Sequence, residues 1–132
     1  MEIRRPYLQG AVIFLWIVWL AVILVASFMP EDTPASEVLS PRWWNLFHIP
    51  AYGILALLSL LMFTDLLRAF SALRLSISFI VVSLIGLIAE ALQPAFGREM
   101  SVVDFSYNQL GIICGLGFLL AVKRLWLSNF RT

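Results

Sequence analysis

The chain has 132 residues, 61% of them hydrophobic and 13% charged, with a formal net charge of +1 and a mean hydropathy of +0.93. Soluble domains carry about a quarter charged residues, and a chain this short has too little interior to hide so much apolar surface from water. The composition therefore excludes an ordinary water-soluble enzyme, a nucleic-acid binder and a disordered chain. The small net charge creates no field toward a polyanion, and the one cysteine can form neither an internal disulfide nor a metal knuckle. The length predicts one domain over residues 1–132.

Four apolar runs follow one another along the chain, at about 8–28, 46–67, 75–92 and 104–122. Each approaches the ~20 residues that a helix needs to cross ~30 Å of hydrocarbon. None alternates with period two, so helices are expected rather than strands. The predicted class is an all-α polytopic membrane protein with four transmembrane helices. The first run follows Arg4 and Arg5, as a signal peptide does, but its apolar core exceeds the roughly 7–15 residues of such a peptide and no small-x-small site follows. It reads as a retained span. Prolines at 30, 34 and 41 make the next stretch irregular, and the segment 39–47 is expected along the membrane interface.

Charge predicts direction. Arg4, Arg5, Arg68, Arg74, Lys123, Arg124 and Arg131 flank one set of ends, against Arg42 and Arg98 at the other. The short-loop bias places both termini in the cytoplasm. Trp43 and Trp44 are expected at the outer water boundary, and Tyr7 and Trp126 at the inner one.

Each of the last three runs carries a polar or small stripe toward its outer end. These are Asn45, His48, Tyr52 and Ser59; Ser83, Gly86, Glu90 and Gln93; and Asp104, Asn108, Gly111 and Gly115. Their spacings of three, four and seven hold one helical face, and in lipid such faces turn inward. The first run has no stripe, and its Trp16 and Trp19 imply a lipid-facing or packing role. With Arg98 and Ser101 from the third loop, one cluster is expected: His48, Tyr52, Glu90, Gln93, Arg98, Ser101, Asp104 and Asn108.

Plainer readings stand beside this one. Ser101-Val-Val-Asp104 fits a capping box that starts the fourth helix. Gly111 and Gly115 form G-x-x-x-G and, with Gly86, read as helix-packing positions. Cys114 reads as an inert small hydrophobe, and Asp65 as an ion-pair partner of Arg68. Glu90 stands out because the C-terminal end of a helix disfavours a carboxylate, whereas Asp104 enjoys an N-terminal end. Pro94 predicts that the third helix stops near Gln93. Pro50 is tolerated if the second helix starts near His48. Two carboxylates in opposed environments with an imidazole between them fit acid, base or orienting roles; they equally fit a Glu–Arg–Asp clamp that fixes helix packing. One histidine and two carboxylates are unspecific for a metal, and no cofactor or metal is expected. No nucleophile elbow, phosphate loop or H-E-x-x-H occurs.

At these residues the chain resembles the VanZ-like family of bacterial membrane proteins. The first block is His48-Ile-Pro-Ala-Tyr52-Gly-Ile-Leu55. The second is Glu90-Ala-Leu-Gln93-Pro-Ala-Phe-Gly97-Arg98, continuing through Asp104 and Asn108 to Gly111 and Gly115. The resemblance spans roughly residues 40–120, and the second block is the specific one. Many members carry a lysine three residues before the histidine, where this chain has Asn45. The resemblance implies a four-helix protein of the bacterial cytoplasmic membrane with its signature on the outer face. The family's name-giving member is linked to low-level resistance to teicoplanin, a lipid-tailed glycopeptide. The functional expectation is a site that binds or modifies an amphiphilic envelope lipid, a lipid-linked wall precursor or a lipoglycopeptide, in contact with the bilayer. Glu90, Asp104 and His48 would be its acid, base or orienting groups. Arg98 would hold an anionic head, and Gln93, Asn108, Tyr52 and Ser101 would position it. The alternative is a non-enzymatic structural or partner-binding membrane subunit.

Overall fold

A computed structural model describes residues 4–29, 45–63 and 72–129, with side chains described from 7 and up to 125 in the terminal helices. Helices make up nearly all of this described part, and no strand occurs in it. Helix α1 spans Arg4–Phe28, α2 His48–Met62, α3 Ala72–Leu92 and α4 Val102–Asn129. A 3-10 turn over Gln93–Phe96 leads out of α3.

Sequence sets the helix ends. Pro50 falls in the first turn of α2, where its missing N–H is not needed. Pro94 stands at the start of the 3-10 turn and stops α3 at Leu92. Gly97 then adopts φ 76°, the left-handed conformation that glycine enters without Cβ strain. Its N–H and that of Arg98 bond back to the carbonyls of Pro94 and Gln93, at 3.3 and 3.2 Å. The corner is thus closed tightly enough to bring Arg98 and Ser101 against the end of α3.

Three helices, α1, α3 and α4, are long and apolar enough to cross a membrane. The second is shorter. Its 15 residues span about 22 Å at ~1.5 Å per residue, short of a ~30 Å hydrocarbon core. The described helix ends at Met62, and positions 64–67 of the expected run lie outside the described residues. Residues 64–71, with Asp65 and Arg68, lie outside the described part, as do 30–44 with Trp43 and Trp44; the side chain of Trp126 is also outside it. In the other direction, α4 begins at Val102 and continues to Asn129, past the expected end at 122.

The short helix is the central one. It packs most extensively on α4 and also touches α1 and α3. Its core residues Leu55, Ala56 and Leu60 meet Ile23 of α1, Val82 of α3, and Ile112 and Leu116 of α4. The approach of α2 to α4 is at backbone distance. A Cβ added at Gly111 would collide with the Ile49 carbonyl, one at Gly115 with the Gly53 carbonyl, and one at Gly53 would lie 3.0 Å from the Gly111 oxygen. Small residues that let two backbones touch drive helix association in lipid, where burying Leu against Leu gains little over lipid tails. The outward faces carry large exposed apolar side chains, among them Phe14, Val25, Ile80, Ile88, Ile113 and Phe118. A surface of that kind calls for an apolar solvent.

The first helix is joined to α2 by more than apolar contact. Trp16 Nε1 donates to Ser59 Oγ at 2.7 Å, and Trp19 Nε1 donates to the Ala51 carbonyl at 2.9 Å. Both indoles therefore face the bundle rather than lipid, since a buried indole N–H needs an acceptor.

Candidate functional site

The polar residues gather at the bundle end formed by the start of α2, the end of α3 and the start of α4. Three pairs spaced four residues apart supply the frame: His48 and Tyr52 on α2, Gly86 and Glu90 on α3, Asp104 and Asn108 on α4. That spacing stacks each pair on one helical face. Burial is nearly complete, with relative exposures of 1% for Tyr52, 1% for Glu90, 5% for Asp104 and 0% for Asn108.

The contacts tie the three helices together. His48 Nδ1 lies 2.7 Å from Asn108 Oδ1. An amide oxygen only accepts, so Nδ1 carries the hydrogen, and in the neutral ring Nε2 keeps its lone pair. The His48 and Tyr52 rings lie parallel at 5°, with centroids 6.2 Å apart. Gly86 opens the wall of α3 to both partners. A Cβ there would lie 3.1 Å from the Tyr52 ring and 3.3 Å from Asn108 Nδ2.

Glu90 occupies a place that the capping-box spacing had reserved for Asp104. Ser101 Oγ accepts the Asp104 N–H at 3.1 Å, as an N-cap does. The reciprocal bond is taken by Glu90, whose Oε2 accepts the Ser101 N–H at 3.3 Å. With its amide nitrogen turned toward its acceptors, Gln93 donates to the same Oε2 at 3.0 Å and to the Glu99 carbonyl at 2.9 Å. The carboxylate that the C-terminus of α3 disfavours is thereby held at the N-terminus of α4, whose positive end favours it. Asp104 is left with a buried Oδ1 that makes no hydrogen bond, and the Tyr52 hydroxyl and Asn108 Nδ2 are in the same position. Asp104, His48 and Arg98 all lie within electrostatic reach of the Glu90 carboxyl, and so does the Tyr52 phenol.

Arg98 points elsewhere than a free anion clamp would. Its Nη1 donates to the Ser27 carbonyl at 3.0 Å, at the end of α1. Beside it, the Phe28 and Phe96 rings stack at 4.4 Å. Thus the first helix, which has no polar stripe, is fastened to the corner that carries Arg98. Ser27 is a supporting residue that sequence reasoning missed, while the two indoles take the packing role expected of them. A backbone carbonyl acceptor has no residue signature. Lower down, Ser83 Oγ donates to Gln109 Oε1 at 2.9 Å, a further α3–α4 bond.

Between α1 and α2 an apolar groove of about 300 Å³ runs up to this cluster, and His48 and Tyr52 form part of its wall. Among the described residues no group of three or more His, Cys, Asp and Glu side chains is placed to hold a metal ion. Cys114 is exposed on α4, away from the cluster. Comparisons of the chain with protein-family models, with curated proteins and with solved structures give no match.

Proposed function

We propose that the protein is a VanZ-like membrane protein whose polar cluster is a site for an amphiphilic lipid or lipoglycopeptide at the outer leaflet of a bacterial cytoplasmic membrane. The carrying observation is a set of buried polar side chains from three helices, at one end of an apolar bundle and beside a groove of about 300 Å³. Intramembrane ionisable residues are expensive to keep and mark functional sites by default. In this reading all four apolar segments cross the bilayer and both termini lie inside, as the Lys and Arg asymmetry supports. The polar end of an amphiphile meets the cluster at headgroup depth while its chain lies along the helices. Glu90, Asp104 and His48 are the groups able to exchange or orient a proton, since Asp104 and His48 both lie within electrostatic reach of Glu90. Arg98, held at the Ser27 carbonyl, brings a guanidinium to the rim. Gln93, Asn108, Tyr52 and Ser101 hold these groups in place.

The test uses Glu90→Gln, Asp104→Asn and Arg98→Ala in the full chain, with membrane insertion verified. The reading expects loss of the envelope phenotype, glycopeptide tolerance or lipid composition, at near-normal abundance. Retention of the wild-type phenotype by all three variants refutes it.

A second reading is favoured by the cross-helix cap. Glu90 accepts the Ser101 N–H and Asn108 engages His48, both of which would serve a purely structural clamp. On that reading the same substitutions lower the detergent melting temperature and abundance in step with any loss of phenotype. Lost phenotype at unchanged melting temperature rejects it.

A further inference from the structure

We propose that the groove between α3 and α4, at the end of the bundle away from the polar cluster, binds an anionic glycerophospholipid, with one acyl chain in the groove and the phosphate at Arg74, Lys123 and Arg124. The groove has a volume of about 510 Å³ and lies below the Ser83–Gln109 bond. Ser76, Phe79 and Ile80 of α3 and Ile113, Gly117 and Leu120 of α4 line it, so its walls are apolar apart from one hydroxyl. Its floor is open at Gly117, where an added Cβ meets nothing within 4 Å. Ile80 and Ile113 in its walls are exposed at 54% and 57%, so the groove faces outward, where lipid tails lie in a bilayer.

Charge at one end says what fills it. Arg74 directly precedes Leu75 of the α3 wall. On α4, Lys123 and Arg124 stand three and four residues beyond Leu120, on the face that continues the groove. From Val102 to Lys123 the helix runs about 32 Å at ~1.5 Å per residue. That is one hydrocarbon thickness, so the basic pair reaches headgroup depth on the side opposite the polar cluster. Among the described residues the acidic side chains, Glu90, Glu99 and Asp104, all belong to the other end. Basic clusters between helices at a membrane face take up anionic lipid heads, and here an apolar groove leads to one. A second copy of the chain fits less well. Inserted in the same direction, it would bring the same three cations to the same depth, and like charges across an interface oppose association.

The experiment uses the full-length chain in detergent with two probes, dioleoylphosphatidylglycerol and dioleoylphosphatidylcholine, each titrated and read by native mass spectrometry. Phosphatidylglycerol is expected to bind at least about tenfold more tightly, with the preference shrinking as salt screens the charges. Lys123→Gln and Arg124→Gln should each weaken it by about fivefold, the worth of one basic residue at an anionic surface, and leave phosphatidylcholine unaffected. Gly117→Phe fills the groove and should remove one bound phosphatidylglycerol with the melting temperature unchanged. Ser76→Phe closes the same groove from α3 and should do likewise, whereas Arg98→Ala at the other end should leave this binding intact. Equal retention of the two lipids overturns the proposal, as does phosphatidylglycerol binding undiminished in the two Phe variants. If those variants instead convert a dimer to a monomer with lipid per chain unchanged, the groove is an interface between copies and the lipid site is refuted.

Discussion

The two ends of the α2–α4 contact are held together by different forces. At one end the helices meet through Gly53, Gly111 and Gly115, whose absent side chains bring backbone onto backbone. At the other they meet through His48 and Asn108, with Glu90 of α3 caught at the start of α4. In water such a bundle would be driven by apolar burial. In lipid that drive is nearly absent, so close packing and polar bonds set the arrangement. The glycine end supplies proximity and tolerates nothing larger. The polar end supplies direction and register.

The largest effect is expected from enlarging the glycine end. Gly111→Val drives a branched side chain into the Ile49 carbonyl, and backbone cannot yield as a flexible side chain can. Overpacking in a tight core costs ~1–3 kcal/mol, and this site should fall at the upper limit, lowering detergent melting and membrane abundance together. Gly117→Val is the control on the same helix, because nothing lies within 4 Å of its added Cβ. Equal losses from both would show that helix propensity rather than the contact is responsible.

Next comes the polar end. Glu90→Ala leaves the Ser101 N–H without its acceptor and should cost about 1–3 kcal/mol, the penalty for a buried group left unpaired. Glu90→Gln keeps an acceptor oxygen at that point and should recover most of the melting temperature. A Gln variant as unstable as the Ala variant would show that the charge, not the bond, closes the corner. Smaller again is Asn108→Ala, which releases His48. Cross-helix polar contacts in membrane proteins average ~0.6 kcal/mol and reach ~1.7, so a loss near 1 kcal/mol is expected.

The difference between the two ends also explains what was legible in the sequence. Spacing of four and three along one helix was enough to group His48 with Tyr52, Gly86 with Glu90, and Asp104 with Asn108, since a helical face is a local property. Pro94 and Gly97 likewise announce a corner by their own backbone limits. The partner of each group was not legible. Ser101 and Asp104 have the spacing of a reciprocal cap, yet Glu90, eleven residues earlier in the chain, takes one of its two bonds. Nothing in the S-x-x-D pattern signals that a second carboxyl will arrive through the fold. The first helix shows the same limit. Its lack of a polar stripe implied no part in the site, but it contributes a backbone carbonyl from Ser27 and two indole donors, none of which a polarity pattern can display.

The smallest expected effect tests whether α1 belongs to the polar end at all. Trp16→Phe removes one hydrogen bond, to Ser59, and leaves a ring in place. Trp19→Phe removes one to the Ala51 carbonyl, on the wall of the groove. Each should cost about 0.6 kcal/mol in detergent melting, the average for a polar contact between membrane helices. The two variants should nonetheless differ in function. Trp19 sits beside the groove that reaches His48 and Tyr52, so its loss lets α1 shift against Ala51 and should weaken lipid retention more than Trp16→Phe does at equal stability. If the two variants retain lipid equally, α1 acts as a uniform brace and the groove does not depend on its registration against α2.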